Sequence, residues 1–313
     1  MPNSNAAVRI VDPVLTTVAQ GYCNQNFVGA ALFPRVPVNV RGGQIIEFGR
    51  EAFRQYASKR SPGGRTARMQ FGYLGKPFAL LNDAVETPIP REQMQDARVM
   101  PGLDLGVRAV NTTMRNMLMS LEIDQAALAT TAAGYGAGNK LTLAGATKWS
   151  ASTGTPLTDV DTAREAIRQA VGMYPNTLML SSLAFNACKN NPTIVSRFQY
   201  NGAAGTDASQ ITPKMLAGLF NVDQVVVGKG VYWNDANVST DIWGNNAVLA
   251  YTALGDVNQE EPSYGYTYTL DGMPLVEVPY WEPQTKSWVY GVTFERAPVL
   301  SGISAGYLIQ NPA

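Results

Sequence analysis

The residue types that most often carry chemistry are scarce in this chain. It contains no histidine, which removes the commonest general base and the commonest metal ligand. Its two cysteines, Cys23 and Cys188, lie far apart with no CxxC spacing, so neither zinc nor dithiol redox work is expected of them. They read as idle thiols in a reducing compartment. Serine and threonine are plentiful, but no G-x-S-x-G elbow is present, and a triad would lack its base. The acidic pairs Glu122/Asp124, Asp159/Asp161 and Glu260/Glu261 could hold a hard cation, yet none follows a calcium-loop pattern. They read as solvated or interface carboxylates.

Two glycine-rich stretches fail the phosphate-loop test. Gly134, Gly136 and Gly138 follow a helical pattern and lack the third glycine spacing of a dinucleotide loop, so they read as a linker. Gly228-Lys229-Gly230 follows a strand, but Asp223 stands where a P-loop needs glycine. That tripeptide reads as a turn. No catalytic, cofactor or metal site emerges, and the chain is expected not to be an enzyme.

Charge carries the stronger signal. Over 313 residues, 24 basic side chains balance 24 acidic ones, and charged residues make up only 15%, against about 25% in ordinary soluble domains. Low charge suits a protein that buries much of its surface against copies of itself. The charge is also unevenly placed. Residues 41–76 hold Arg41, Arg50, Arg54, Lys59, Arg60, Arg65, Arg68 and Lys76 against Glu47 and Glu51, a net of +6. The remainder therefore carries −6. Phe53, Tyr56 and Phe71 lie among these cations, a mixture that can bind single strands. A neutral chain of pI 6.4 lacks the basic footprint of a dedicated nucleic-acid binder. An acidic neighbouring subunit is the better partner for Arg54, Lys59, Arg60, Arg65 and Arg68.

The elements that position this segment follow from periodicity. Residues 1–36 read as a mostly extended arm with room for one short helix, and their start lacks the pattern of a secretory leader. QIIEFGR and ARMQFGYL flank the turn-rich KRSPGGR, which predicts a long hairpin with a basic tip. PFALLNDAVETPIP continues as strand, and Pro90 opens a short helix. Val107, Val110, Met114, Met117, Leu121 and Leu128 recur at helical spacing, with Arg108, Asn111, Arg115 and Glu122 on another face. This predicts a strut helix from about Asp104 to Ala133, roughly 45 Å long.

A Gly/Thr/Ser-rich linker leads to a second helix, with Thr158 as its expected cap. A buried strand TLMLS and the helix LAFNACKNN follow, the latter ending at Pro192. FQYNGAAGTDASQ reads as loop, and Thr212 caps PKMLAGLF. Strands return at 264–270, 274–281, 287–294 and 305–309, giving an α+β chain with a subdomain inserted from 193 to about 275. No run of 18 apolar residues occurs, so no helix of membrane-spanning length is expected, and the expectation is a protein made and used inside a cell.

The order of these parts resembles the major capsid proteins of tailed bacteriophages, the Hong Kong-type capsid fold shared with encapsulins. DPVLTTVAQGY with LFPRVPV resembles the N-arm, and FGREAFRQYASKRSPGGRTAR the extended E-loop. TPIPREQMQDA with DLGVRAVNTTMRNMLMSLEIDQAALA is similar to the spine helix and its lead-in. PNTLMLSSLAFNACKNNPTIVSRFQY resembles the peripheral domain, LFNVDQVVVGKGVY and IWGNNAVLAY the axial domain, and AGYLIQN the closing strand. The resemblance implies an N-arm at 1–36, an E-loop at 37–77 and a peripheral domain at 78–192. It further implies an axial domain at 193–275 and return strands at 276–313.

It also implies hexamers and pentamers of this chain closing into an icosahedral virion shell around double-stranded DNA, assembled in the bacterial cytoplasm. Scaffold and portal proteins would be separate, contact with packaged DNA non-specific, and no membrane or cofactor involved. Lys59 is the lysine a relative's crosslink would use; no partner asparagine stands out, so crosslinking is not expected. The alternative is an encapsulin-like cargo compartment.

Overall fold

The computed structural model describes residues 11–45, 59, 76–98, 104–200, 211–253 and 263–313. The chain opens with helices α1 (Pro13–Gly21) and α2 (Gly29–Leu32), then strands β1 (Arg35–Val38), β2 (Gly42–Ile45), β3 (Lys76–Ala79) and β4 (Leu81–Pro90). Helices α3 (Arg91–Arg98) and α4 (Leu105–Thr130) follow, then β5 (Lys140–Thr142), α5 (Pro156–Val171) and β6 (Thr177–Ser181). Next come α6 (Ser182–Asn190), α7 (Pro192–Tyr200), α8 (Pro213–Phe220), β7 (Gln224–Gly228), β8 (Val231–Trp233), β9 (Ser239–Asp241) and β10 (Asn246–Ala250). The chain closes with β11 (Gly265–Leu270), β12 (Leu275–Val276), β13 (Tyr280–Glu282), β14 (Ser287–Leu300) and β15 (Gly306–Gln310).

Two sheets organise these elements. The first is built on β14, whose 14 residues serve as a common rail. One edge of β14 pairs with β4 in ten-residue antiparallel register, from Ser287↔Pro90 to Arg296↔Leu81. The other edge takes β13, β12 and β11 in turn, and β1 adds in parallel to β11. The second sheet runs β5-β15-β10-β6-β7. Strand β6, flanked by β10 and β7, is buried at every position, which explains why Leu178, Met179 and Leu180 follow one another without polar alternation.

Helix α4 joins the two cores. Asp104 caps it, accepting from the backbone N–H of Gly106 at 2.9 Å and Val107 at 3.2 Å. Its Val110, Met114, Met117 and Leu121 pack with Leu15 and Ala19 of α1 and with Tyr290, Val292 and Phe294 of β14. Further along, Ala126 and Ala129 enter the core of the second sheet. The helix ends at Thr130, short of Ala133, where the Thr130 and Thr131 hydroxyls donate back to the carbonyls of Ala126 and Ala127. Such back-bonding competes with helix continuation. Leu121 is 4% exposed, so Leu121→Ala is expected to lower stability by about 2–5 kcal/mol. A denaturant midpoint equal to the parent's would show that this face is not core.

Several sequence expectations are corrected. The arm residues that are described carry two helices and a strand, because Leu15, Ala19, Leu32 and Phe33 have core to enter. Glu122, assigned to the polar face of the strut, is 2% exposed. The cap of α5 is Thr155, with Pro156 at the first helical position; Thr158 lies inside the helix. Residues 134–156 are no free linker, since β5 pairs with β15 and Trp149 is fully buried. Phe198–Tyr200, read as loop, complete α7. The sheets also cut across the expected boundaries at 192/193 and 275/276. Strand β6 pairs with β7 and β10, and β11 pairs with β14.

Candidate intersubunit surfaces

The basic segment is anchored at both ends. Strands β2 and β3 pair from Gly42↔Ala79 to Ile45↔Lys76, so the chain leaves and re-enters the body side by side. Arg41, the first cation of the segment, forms a two-pronged pair with Glu295, Nε to Oε2 at 2.7 Å and a terminal nitrogen to Oε1 at 3.0 Å. The Arg41 hydrogen bond holds the Glu295 carboxyl below the usual glutamate range. Of the five cations predicted to make intersubunit contact, Lys59 is exposed. Arg54, Arg60, Arg65 and Arg68 lie outside the described residues.

Glu295 belongs to a face of the first sheet that the sequence did not reveal. Along β14, Tyr290, Val292 and Phe294 turn toward α4, so Val289, Gly291, Thr293 and Glu295 point the opposite way. Residues directly opposite across an antiparallel pair share a face. Glu86, opposite Gly291, and Tyr280, opposite Val289, therefore join this face, as does Glu282 opposite Ser287. The Tyr280 hydroxyl donates to Glu86 Oε2 at 3.2 Å. Glu277 accepts from the Thr293 hydroxyl at 3.2 Å, and its carboxylate lies over Gly291, where an added Cβ would come within 3.1 Å of Oε2. Desolvation, the bond to Glu86 and the charges of Glu86, Glu282 and Glu277 raise the pKa of the Tyr280 phenol. Among the described residues, none of these three carboxylates has an ion-pair partner.

The remaining candidate groups are structural. Glu122 accepts from the Val28 N–H and the Trp243 indole at 2.8 and 2.7 Å on one oxygen, and from the Gly29 N–H at 2.8 Å on the other. Burial pushes its pKa up, and the three bonds pull it back. Asp159 accepts from the Trp149 indole at 2.8 Å, and Asp161 pairs with Arg164 at 3.4 Å. Asp124 is exposed, and Glu260 and Glu261 lie outside the described residues. Arg296 is 2% exposed and pairs with Asp83 at 2.8 Å. Cys23 is exposed, while burial pushes the Cys188 thiol up to about 12. In the glycine-rich stretch, Tyr135 is buried and hydrogen-bonded to Tyr264. No group of three acidic or cysteine side chains among the described residues is arranged to hold a metal.

A second surface is apolar. Strands β8 and β9 form a two-stranded hairpin outside both main sheets. Trp233 is 71% exposed there, and Val231 and Val238 are also exposed. Exposed apolar side chains gathered on one small projection mark interaction surfaces more often than idle ones.

Known proteins resemble this chain along nearly its whole length. A family model described as phage major capsid protein E matches residues 119–291. A major capsid protein of Burkholderia phage BcepMu is 35% identical over 307 residues, 96% of either chain. The chain belongs to the phage major capsid protein family. A crystal structure of a phage-related protein from Bordetella bronchiseptica RB50 shares 44% identity, covers 97% of this chain and 98% of its own, and superposes with TM-score 0.82. The capsid of cyanophage P-SCSP1u, 12% identical over 93% and 89% of the two chains, shares the fold with TM-score 0.58.

The α+β fold is thus the phage capsid fold, and this major capsid protein is a structural component of the virion shell. The encapsulin alternative shares the fold, but the full-length capsid relative favours the phage reading.

Proposed function

We propose that this capsid protein assembles through hexamers and pentamers into the icosahedral head that encloses phage double-stranded DNA, with residues 41–76 acting as an intersubunit clamp. Assembly takes place in the host cytoplasm with separate scaffold and portal proteins, and packaged DNA is contacted without sequence preference. The five-stranded sheet, including the β5, β6 and β15 strands that the sequence assigned elsewhere, forms the axial part of the subunit. The β14 sheet with α4 forms the peripheral part. The observation that carries the clamp is the +6 charge of residues 41–76 in a neutral chain, on a segment whose two ends the β2–β3 ladder holds together.

An exposed ion pair contributes only about 0–1 kcal/mol. The clamp therefore acts through several pairs per contact, repeated over every subunit of a shell. Such pairs weaken as the screening length falls from about 8 Å at physiological ionic strength to about 3 Å at 1 M salt. Reversing Arg60, Arg65 and Arg68 to Glu is expected to leave thermal unfolding of the subunit unchanged while particle yield collapses. Parent shells should loosen as salt rises. Normal shells from the folded triple variant would sink the clamp. A variant unable to fold would place the loop in its own subunit's core.

A further inference from the structure

The clamp needs a receptor, and the sheet face opposite α4 has the required chemistry. Glu86, Glu277 and Glu282 come from two strands and the segment after β12, yet strand pairing gathers them on one side of β14 around Tyr280. Gly291 lies beneath the Glu277 carboxylate, where a side chain on that residue would crowd it. Among the described residues none of the three carboxylates has a cationic partner. A polycation arriving from outside therefore meets acceptors of the opposite charge on this face.

The fourth carboxylate on this face indicates what fits. Glu295 is already engaged, in a two-pronged pair with Arg41, and Arg41 is the first residue of the basic segment. Arg–carboxylate forks of this kind are geometrically specific and stronger than neutral hydrogen bonds. The face thus already accepts one arginine from the root of the segment, beside three carboxylates that have none among the described residues. Further along the same segment, five cations fall within residues 54–68.

We infer that Glu86, Glu277 and Glu282, on the face of the β14 sheet opposite α4, form the docking site for the basic segment (Arg54, Lys59, Arg60, Arg65 and Arg68) of a second copy of this chain. The inference rests on the clamp reading above and names its receptor. Tyr280 is an aromatic platform beside the carboxylates, 45% exposed, over which an arriving guanidinium gains a further attraction.

The test is a charge swap made in the full-length protein. Three variants are compared with the parent for thermal unfolding and particle yield. One is R60E/R65E/R68E, the second is E86K/E277K/E282K, and the third carries all six changes. Each triple variant is expected to unfold like the parent and to lose particle yield by about tenfold or more, because like charges then face each other at every contact. The sixfold variant is expected to recover most of the yield, since complementarity is restored with the signs exchanged.

Normal particles from the acid-face triple alongside failure of the loop triple would overturn this receptor and leave the clamp standing. Failure of the sixfold variant to recover would overturn it as well. Normal particles from the loop triple would overturn the clamp reading itself. If the lysine triple does not fold, E86Q/E277Q/E282Q replaces it, with reduced yield and a flatter salt dependence expected. Parent-like yield and salt dependence would then overturn the assignment.

Discussion

Replacing Glu122 with alanine is expected to lower the unfolding free energy by about 3–5 kcal/mol, because three buried donors lose their acceptor at once and each costs about 1–3 kcal/mol unpaired. Those donors are the Val28 and Gly29 N–H groups and the Trp243 indole. They belong to the N-terminal segment and to the loop before β10, so the carboxylate ties two distant stretches to α4. Glu122→Gln keeps one acceptor oxygen but turns an NH2 group toward an N–H donor, and a smaller loss is expected. Guanidinium unfolding measures both. A parent-like midpoint for the alanine variant would mean that the knot contributes nothing.

The same residue gives a pH signature with a definite sign. Burial raises the folded-state pKa of Glu122 above its ordinary 4.5, so the folded protein binds this proton more tightly than the unfolded chain does. Its contribution is therefore fully present below pH 4.5 and is lost as pH rises through the folded pKa. Glu122→Gln cannot titrate, so its stability should fall less steeply than the parent's over that window. Equal slopes would show that Glu122 has no raised pKa.

What the sequence disclosed and what it hid divide along the range of the interactions. Helix α4 was legible because Val110, Met114, Met117 and Leu121 recur at the helical period, and β6 because five consecutive residues are suited to a strand buried on both faces. Thr212 was legible as a cap because a cap bonds only three residues ahead. Glu122 was misread because helical spacing places it beside Arg115, while the donors that bury it stand at positions 28, 29 and 243. Nothing local records them. The acidic face was hidden for the same reason, since residues 86, 277 and 282 become neighbours only once β4 and β13 have paired with β14. The basic segment was legible in composition alone, its cations being contiguous in sequence.

Trp149 shows the cost of reading composition without packing. It lies in a Gly/Thr/Ser-rich stretch that reads as linker, yet it is completely buried in the core of the five-stranded sheet. Its backbone N–H donates to the Pro312 carbonyl at 2.7 Å, its carbonyl accepts from Asn191 at 2.8 Å, and its indole donates to Asp159 at 2.8 Å. The residue thus ties down the C-terminal tail and the end of α6 through its backbone, and the first turns of α5 through its side chain. Trp149→Ala is expected to cost about 3–5 kcal/mol, typical of a large aromatic removed from a core. Asp159, already pushed up by burial and held down only by the indole bond, should move further up when that bond is lost.

Trp149→Phe retains most of the ring and loses the donor, so its cost should be nearer 1–2 kcal/mol. Amide hydrogen exchange should localise the damage. Protection should fall first in β5, β15 and α5, while the β4–β14 ladder keeps parent-like protection, because local openings follow local packing. A shell subunit with a loosened five-stranded sheet should also assemble poorly, even with its basic segment and acidic face intact. Alanine and parent proteins with the same denaturant midpoint and the same exchange pattern would return residues 134–156 to the status of a linker.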